Sequence, residues 1–264
     1  MLDPADPQQL FELLRRHRIT LKRRFGQNFL IDAALRDAIA RGAEATRDDT
    51  VLEVGAGVGT LTIALAAGAD RVIAVEFDRD LIPALREVVN GLHNVEVVQA
   101  DILRIDATGE IVAGNIPYNL TGALIEKLLD KPPRPRRISL VVQREVANRW
   151  TATTAASLAT VAVQVFAEAR TLFTIPATAF EPPPRVDSAL VALDVRARPA
   201  VDVDDYHAFF RFVEAVFQFR RKQLGGTLRR LGHGDLQGAG IDLTRRPETL
   251  ALKEWETLYR AVKS

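Results

Sequence analysis

Between residues 50 and 143, short apolar runs of strand length alternate with longer runs of helical length. The short runs are apolar nearly throughout, instead of apolar at every second position. Strands of this kind are buried on both faces, as in a parallel sheet that helices cover on both sides. The pattern predicts an α/β fold with strands at Thr50–Val54, Arg71–Val75, Val95–Gln99, Ile111–Ala113 and Ile138–Val142, and with helices that include Asp80–Asn90 and Leu120–Leu129.

The chain departs from this alternation after residue 143. Two later strand-like runs flank a Pro-rich loop and suit an antiparallel edge of the sheet, whereas Leu158–Phe166 fits a helix and a strand equally well. Three helix-like runs beyond the linker-like Arg196–Pro199 predict a small all-α domain. The expected strands are Thr171–Ile175 and Ala189–Val195, and the expected helices are Tyr206–Phe219, Leu224–Leu231 and Lys253–Val262. We expect an N-terminal extension at residues 1–20, a main domain at 21–195 and a helical domain at 196–264.

The composition excludes several kinds of protein. The 264 residues include no Cys, which excludes disulfides, thiol catalysis and Cys-ligated zinc. No apolar run approaches the roughly 20 residues that a membrane span needs, and the N-terminus lacks the basic and apolar regions of a secretory signal. We therefore expect a cytoplasmic protein with no membrane contact.

Charge is distributed unevenly along the chain, although the net charge is only +1. Residues 51–130 hold 12 Asp and Glu against 5 Lys and Arg, whereas residues 15–24 hold six Lys and Arg and no acid. Residues 196–264 hold 13 basic and 9 acidic residues. This distribution suits a polyanion that the two flanks contact, and an ordinary solvated surface explains it equally well.

A Gly-rich turn follows the first strand and reads Gly55-Ala56-Gly57-Val58-Gly59. Such a turn lets a ligand approach the backbone closely. Glu76 ends the next strand, 21 residues past Gly55, where a carboxylate can accept both hydroxyls of a ribose. Asp101 and Ile102 end the third strand and suit an adenine ring, although Asp101 also suits a helix N-cap. Together they favour a nucleoside cofactor over a purely structural turn or a nicotinamide site, whose usual spacing differs.

The run Asn115-Ile116-Pro117-Tyr118 follows the fourth strand. An aromatic amine is a poor nucleophile because its lone pair is delocalised into the ring. Hydrogen bonds from the amine to the Asn115 side chain and to a nearby carbonyl would favour the tetrahedral nitrogen, while Tyr118 stacks on the base. This arrangement supplies catalysis by positioning and needs no metal. The alternative is a proline turn with a packed Tyr.

Two further runs suit RNA. The prolines of Phe180–Ser188 would hold Phe180 as the opposite wall of a base pocket, or the run anchors a buried loop. The cations Arg220, Arg221 and Lys222 extend a helix beside aromatic residues and suit phosphate contacts, or they form a solvated helix face.

Six segments together resemble the rRNA adenine N6,N6-dimethyltransferase superfamily, and the resemblance covers residues 21–262. They are Phe25–Leu30, the Gly55 loop, Asn115–Tyr118, Gln143–Val146, Phe180–Ser188 and Phe217–Lys222. The resemblance implies a Rossmann-like methyltransferase sheet with a small helical RNA-binding domain. It also implies S-adenosyl-L-methionine (AdoMet) as donor, S-adenosyl-L-homocysteine (AdoHcy) as product, and no metal.

The resemblance assigns roles to individual residues. It implies that Gln27, Asn28 and Leu30 close over the cofactor, which Gly55, Gly57, Glu76, Phe77, Asp101, Ile102 and Asn115 contact. Tyr118 and Phe180 would sandwich the target adenine beside Asn115 and Pro117. The RNA would be bound by Arg23, Arg24, Arg144, Arg220, Arg221 and Lys222.

The triple proline at 182–184 and the ending at Arg245–Tyr259 look most like the small-subunit branch of the superfamily. That branch implies N6 dimethylation of two adjacent adenines in the 3′-terminal hairpin of 16S rRNA. The partner would be a partly assembled small subunit, and the protein would act as a monomer. Two alternatives stay open: a 23S rRNA adenine methylase that confers macrolide resistance, and a ribosome assembly factor without enzymatic activity.

Overall fold

The computed structural model of the chain describes residues 2–22, 27–106, 109–233 and 240–263. These residues form nine strands: β1 Phe29–Leu30, β2 Thr50–Val54, β3 Arg71–Glu76, β4 Val95–Gln99, β5 Ile111–Asn115, β6 Arg137–Gln143, β7 Ala167–Ile175, β8 Phe180–Glu181 and β9 Ser188–Val195. They also form ten α-helices: α1 Pro7–Arg16, α2 Ala33–Gly42, α3 Thr60–Gly68, α4 Ile82–Val88, α5 Thr121–Asp130, α6 Arg144–Trp150, α7 Leu158–Phe166, α8 Tyr206–Phe217, α9 Leu224–Arg230 and α10 Leu252–Lys263. No helix in these ranges is both long and apolar enough to cross a membrane.

Seven strands form one sheet in the order β4-β3-β2-β5-β6-β9-β7. The pairs β3–β4, β2–β3, β2–β5 and β5–β6 are parallel, and β9 pairs antiparallel with β6. The mostly parallel sheet with an antiparallel partner confirms the fold class that the apolar runs predict. Because β3 and β5 lie on opposite sides of β2, the strand order reverses there, and ligands of such sheets bind at the carboxyl ends of the strands at that point.

The apolar composition of the central strands explains their burial. Val51, Leu52 and Val54 of β2 are at most 1% exposed, and β5 contributes Ile111 to the same core. Glu53 is the exception in β2, since it is a carboxyl group that is only 1% exposed. A charged side chain costs free energy in such a position unless it is neutralised or paired, so Glu53 marks a special environment at the end of the strand.

The chain divides into two compact units. One unit holds the sheet and is called the catalytic unit after the role that the resemblance implies; it comprises Met1–Ala147 and Arg170–Val195. The other, the helical unit, comprises Asn148–Ala169 and Arg196–Ser264. The expected boundaries therefore change, because the 148–169 segment joins the helical unit instead of residues 21–195. Backbone hydrogen bonds explain this: Ala155 N–H donates to the carbonyl of Leu250 at 2.8 Å, and Arg196 N–H donates to that of Phe166 at 2.7 Å.

The core of the helical unit is aromatic. The rings of Phe209 and Phe212 in α8 pack against Tyr259 of α10 at centroid distances of 5.4 and 5.8 Å. Phe217 lies 5.1 Å from the ring of Trp255. The ambiguous run at 158–166 is the helix α7, which begins after Ser157, whose hydroxyl accepts a hydrogen bond from the N–H of Thr160.

Two differences from the predicted organisation affect the functional interpretation. The helix α8 ends at Phe217, so Arg220, Arg221 and Lys222 follow it on a turn and are not helical. The reversal at this turn brings the ring of Phe219 within 5.0 Å of the Arg230 guanidinium of α9. The predicted extension 1–20 is also no separate segment, because α1 belongs to the catalytic unit and its Leu10 and Leu13 are fully buried.

Candidate functional site

A cavity of about 300 Å³ opens at the carboxyl ends of β2, β3 and β5. This is the position at which the strand order reverses. Its wall is formed by five stretches of chain, namely residues 27–30, 53–61 without 59, 75–78, 100–103 and 115–120, together with Ile39 and Leu81. All predicted cofactor residues lie in these stretches, as do Asn115, Pro117 and Tyr118. The cavity therefore brings together most of the site that the sequence predicts.

The Gly-rich turn folds back over the end of β3. The backbone N–H groups of Gly55 and Ala56 donate to the carbonyl of Val75 at 2.9 and 3.1 Å. Gly55 has a φ of +74°, which side chains disfavour. A methyl group at Gly55 would lie 3.5 Å from the Asn115 carbonyl oxygen. That distance is ordinary van der Waals contact, so the turn favours glycine here because of the positive φ.

Glu76 is 7% exposed and is fixed by backbone donors at both carboxylate oxygens. The N–H of Gly57 donates to Oε2 at 2.8 Å, and the N–H of Asp78 donates to Oε1 at 2.7 Å. Burial raises the pKa of Glu76, although these N–H groups act in the opposite direction. Each oxygen of the ionised carboxylate retains acceptor capacity, so the pair is arranged to receive two neighbouring hydroxyls.

The ends of β3 and β4 supply apolar surfaces for a flat ring. Phe77 is 57% exposed although it lines the cavity, whereas Ile102 is buried. The Asp101 side chain accepts a hydrogen bond from the N–H of Leu103 at 3.0 Å. Asp101 therefore accepts a bond within its own turn while lining the cavity. No helix begins at this residue, so the alternative role as a helix N-cap is wrong, and the contact with adenine stays a prediction.

The Asn115 side chain has one defined orientation. Its Nδ2 donates to the backbone carbonyl of Asn28 at 3.0 Å. The amide therefore presents Oδ1, its acceptor atom, as the group that remains for a ligand. The contact also ties the segment before β1 to the end of β5.

Tyr118 follows Pro117 in a short 3₁₀ helix and is partly buried. Its hydroxyl forms a 2.7 Å hydrogen bond with the hydroxyl of Ser188, the first residue of β9. Ser188 is fully buried. Burial raises the pKa of Tyr118, with the Ser188 bond acting in the opposite direction. The bond to Ser188 fixes the hydroxyl end of the ring relative to β9.

The structure corrects the prediction for Phe180. This residue pairs with Leu30 across β1 and β8, is 2% exposed and belongs to the hydrophobic core that includes Ile39 and Leu190. It does not line the cavity. Phe180 therefore packs in the core and does not form the predicted second wall around the adenine. The Pro-rich run anchors a buried loop instead.

The predicted RNA-binding residues lie in varied surroundings. Arg144 forms a 3.2 Å ion pair with Asp187, and Arg220, Arg221 and Lys222 are exposed. Arg23 and Arg24 lie outside the described residues. Gln27 lines the cavity, but its side-chain amide binds protein groups: Oε1 accepts from the N–H of Lys22, and Nε2 donates to Asp78.

Three functional candidates escaped the sequence prediction. Glu53 lines the cavity, and its burial, together with the charge of Glu76, raises its pKa to about 8. An acid inside an apolar strand was a signal for it. Asp78 is 5% exposed and Ser188 fully buried, and the sequence marks neither, because their partners are distant in the chain. No group of three or more His, Cys, Asp or Glu suited to a metal ion occurs among the described residues.

Comparisons with known proteins find relatives over nearly the whole chain. Residues 18–263 match the family of ribosomal RNA adenine dimethylases. The ribosomal RNA small subunit methyltransferase A of Pelotomaculum thermopropionicum is 42% identical over 285 aligned positions, which cover 98% of this chain and 97% of that protein.

Two solved structures share the fold. A dimethyladenosine transferase from Plasmodium falciparum has a TM-score of 0.72 and 23% identity, covering 87% of this chain and 95% of that one. The 23S rRNA methyltransferase ErmE has a TM-score of 0.70 and 29% identity, covering 90% of this chain and all of that one.

Proposed function

The chain belongs to the ribosomal RNA adenine dimethylase family, and from this premise we propose that it converts two adjacent adenines in the 3′-terminal hairpin of 16S rRNA to N6,N6-dimethyladenine. AdoMet is the proposed donor, and the protein acts as a monomer on a partly assembled small subunit. One observation carries the proposal: a single cavity contains both the Glu76 carboxylate, fixed to receive a diol, and the Asn115 acceptor beside the Tyr118 ring.

The cavity fits AdoMet on the evidence of its own contacts. Glu76 has an acceptor left on each oxygen for the two ribose hydroxyls. Asp101 would accept the adenine amine, between the apolar surfaces of Ile102 and Phe77. The turn at Gly55 gives the close backbone approach that the rest of the cofactor needs. When bound, AdoMet supplies a methyl group activated by a positively charged sulfur.

The work of the protein is to prepare the target nitrogen. Asn115 Oδ1 would accept a hydrogen bond from the N6 amine, because Nδ2 is already bound to the Asn28 carbonyl. This bond stabilises the pyramidal form of the amine, in which the lone pair is localised on the nitrogen and no longer delocalised into the ring. Tyr118 would stack on one face of the base and fix its plane. Catalysis by positioning of this kind needs no strong base, and the proton of the methylated amine passes to water.

Whether the target lies in the small or the large subunit is decided by similarity over the whole chain. The small-subunit relative is 42% identical over nearly the full length, whereas ErmE is 29% identical. We therefore favour 16S rRNA over 23S rRNA. Retention of Glu76, Asn115 and Tyr118 in one cavity supports an active enzyme over an assembly factor without activity.

RNA affinity is proposed to come mainly from outside the cavity. Residues 51–130 are acidic, with 12 Asp and Glu against 5 Lys and Arg, and would repel a polyanion. Arg220, Arg221 and Lys222 are exposed on the turn after α8 and suit phosphate contacts. Arg144 would add a contact in the catalytic unit, in exchange with or in addition to Asp187.

The test uses ribosomal subunits that lack the modification. Unmethylated small and large subunits are incubated separately with the protein and radiolabelled AdoMet, and the modified positions are mapped by primer extension. We expect label at two adjacent adenines near the 3′ end of 16S rRNA. Label in 23S rRNA alone would show that the target is the large subunit and not 16S rRNA. No label in either subunit would support the alternative that the protein is an assembly factor without enzymatic activity. An isolated hairpin with the same adenines should be a poorer substrate, because it lacks distant phosphates for the helical unit.

A further inference from the structure

Asp78 connects two parts of the catalytic unit that the sequence does not link. Its carboxylate accepts hydrogen bonds from Lys22 Nζ at 2.7 Å and from Gln27 Nε2 at 2.8 Å. Its own backbone N–H donates to Oε1 of Glu76 at 2.7 Å. One buried residue therefore joins the segment that precedes β1 to the carboxylate that is fixed for the ribose.

The helix α1 lies behind the same wall. Its Leu10, Leu13 and Leu14 form a buried cluster with Phe29, Val58 and Leu81, and each of the last three also lines the cavity. Glu87 of α4 binds Arg16 and, at 2.6 Å, the His17 imidazole at the end of α1. The family match begins only at residue 18, so α1 lies before it.

We propose that α1 and Lys22 support the cofactor site: α1 holds the cavity wall in its binding shape through the cluster with Phe29, Val58 and Leu81, and Lys22 holds the Glu76 side through Asp78. This inference rests on the proposed use of AdoMet. Lys22 does not line the cavity, so it is a positioning residue that acts through Asp78 and not a ligand of the cofactor.

Electrostatics gives Lys22 a second role. Burial alone would raise the pKa of Asp78, but the bonds from Lys22, from the N–H of Asp80 and from Gln27 outweigh it and hold that pKa below its usual range. The bonds to Asp78 and Asp80 raise the pKa of Lys22. Asp78 is therefore ionised, and its negative charge is one reason that the pKa of Glu76, which burial raises most, lies above normal.

Lys22 limits this effect on Glu76. Glu76 has two acidic neighbours. The charge of Asp78, in its own loop, disfavours the charge of Glu76, whereas Glu53 of β2, whose pKa is raised to about 8, is protonated at pH 7 and adds no like charge. If Lys22 were removed, the charge of Asp78 would lose its partner and the pKa of Glu76 would rise further. A protonated Glu76 accepts fewer hydrogen bonds, so binding of a ribose would fail at a higher pH than in the unaltered protein.

The experiment measures AdoHcy affinity of the full chain by calorimetry. Lys22→Met keeps the length of the side chain and removes the charge, and we expect affinity about tenfold weaker at pH 7. The lower pH limit of binding should also move upward, which a purely structural role would not cause. Lys22→Arg should restore most of the affinity. Lys131→Met is the matched control, because Lys131 is 75% exposed and its ion pair with Asp130 is long, at 3.9 Å.

A double-mutant cycle isolates the route through Asp78. In an Asp78→Asn background, Lys22→Met should have little further effect on affinity, since its partner charge is already absent. Equal effects of Lys22→Met in both backgrounds would overturn the coupling. If the unaltered protein binds AdoHcy and Lys22→Met binds it within twofold as tightly, the inference fails while the proposed function stands. If the unaltered protein does not bind AdoHcy, the proposed function itself fails.

The contribution of α1 is tested by two substitutions on that helix. Leu13→Ala opens space behind Phe29, Val58 and Leu81, and should weaken AdoHcy binding in protein that circular dichroism shows to be folded. Phe11→Ala changes a side chain that is 51% exposed on the same helix and should leave affinity unchanged. If Leu13→Ala and Phe11→Ala bound AdoHcy equally tightly, α1 would have no part in the cofactor site. The role of Lys22 and Asp78 would then rest on the double-mutant cycle alone.

Discussion

The two ends of the cavity are built from different kinds of contact. At the cofactor end, which comprises Gly55, Gly57, Glu76, Asp101 and Ile102, backbone N–H groups fix the carboxylate of Glu76. At the base end, which comprises Asn115, Pro117 and Tyr118, each functional side chain is fixed by a partner far along the chain. Asn115 binds Asn28, 87 residues away, and Tyr118 binds Ser188, 70 residues away.

This difference indicates where each end is vulnerable. The backbone contacts of the cofactor end follow from the parallel strands β2 and β3 and the turns at their ends, and Lys22 and α1 support them from outside the cavity. The base end also needs β1 and β9 in position, because Asn28 directly precedes β1 and Ser188 begins β9. We therefore expect the base end to respond to substitutions that leave the cofactor end unchanged.

The largest expected effect is at the base end. Asn115→Ala removes the acceptor for the target amine and the bond to the Asn28 carbonyl. We expect the single-turnover rate of methyl transfer to fall about 100-fold or more, as when one preorganised hydrogen-bonding group is lost from an active site. AdoHcy affinity should fall much less, because the Glu76 contacts remain.

Asn115→Asp separates the two functions of the amide. It retains an acceptor but loses the Nδ2 donor and places a charge beside the Asn28 carbonyl, so transfer should also be slow. Asn90→Ala, at an exposed position after α4, is the control. A rate near that of the unaltered protein for Asn115→Asp would mean that the bond to Asn28 is dispensable, and the contrast between the two ends would weaken.

The cofactor end should respond to Glu76→Ala with a loss of binding. The change removes a charge-assisted acceptor for the ribose, and we expect AdoHcy binding to weaken by about 1.5–3 kcal/mol. The change also leaves the N–H donors of Gly57 and Asp78 without their acceptor, so affinity is measured only in protein that circular dichroism shows to be folded. Glu96→Ala is the control, since Glu96 is 49% exposed and paired with Arg71. Unchanged affinity in folded Glu76→Ala protein, measured by calorimetry, would remove Glu76 from the site.

The same contrast explains what the sequence could predict. Apolar runs fix the strand ends, and parallel strands bring those ends to one edge, so the sequence alone predicts that Gly55, Glu76 and Asp101 lie together, as they do in the cavity. Ser188 could not be found, because its contact with Tyr118 depends on β9 lying beside β6. Phe180 was wrongly assigned, since a Pro-rich run does not reveal whether its aromatic ring faces a cavity or pairs with Leu30 in the core.

The helical unit shows the same limit. Sequence alone placed α8 and α10 within two residues of their observed ends, because aromatic residues recur at helical spacing. It did not assign residues 148–169 to that unit, since this depends on backbone bonds such as that from Ala155 to Leu250.

Glu53 is the exception at the cofactor end, since no donor among the described residues binds its Oε2. Burial raises its pKa from 4.5 to about 8, so the folded protein retains a proton that the unfolded chain loses. The contribution of this group to stability is therefore present below pH 4.5 and is lost as pH rises to about 8. Because one proton is involved, the free energy of unfolding falls by at most about 1.4 kcal/mol per pH unit in this range.

Glu53→Gln should remove that slope. Urea unfolding at pH 6 and pH 8 should show the variant gaining stability relative to the unaltered protein as pH rises, and the difference cancels the titration of other groups such as Glu76. Asp70→Asn, at an exposed acid of the same unit, is the control. If the free energy of unfolding of Glu53→Gln differed from that of the unaltered protein by the same amount at both pH values, Glu53 would be ionised throughout this range. Its carboxylate would then be stabilised in the folded protein, as that of Glu76 is.

The smallest expected effect concerns the hydroxyl of Tyr118, and it tests the long-range bond that defines the base end. Tyr118→Phe keeps the stacking face and loses the bond to Ser188, so transfer should slow only about threefold to tenfold, in line with about 1 kcal/mol for one hydrogen bond. Ser188→Ala should act similarly, and the double variant no more strongly than either.

Ser139→Ala is the control, since its buried hydroxyl on β6 has no partner among the described residues. Additive effects in single-turnover rates would show that Ser188 does not act through Tyr118. A loss in Tyr118→Phe as large as in Tyr118→Ala would give the hydroxyl a chemical role instead of a positioning one.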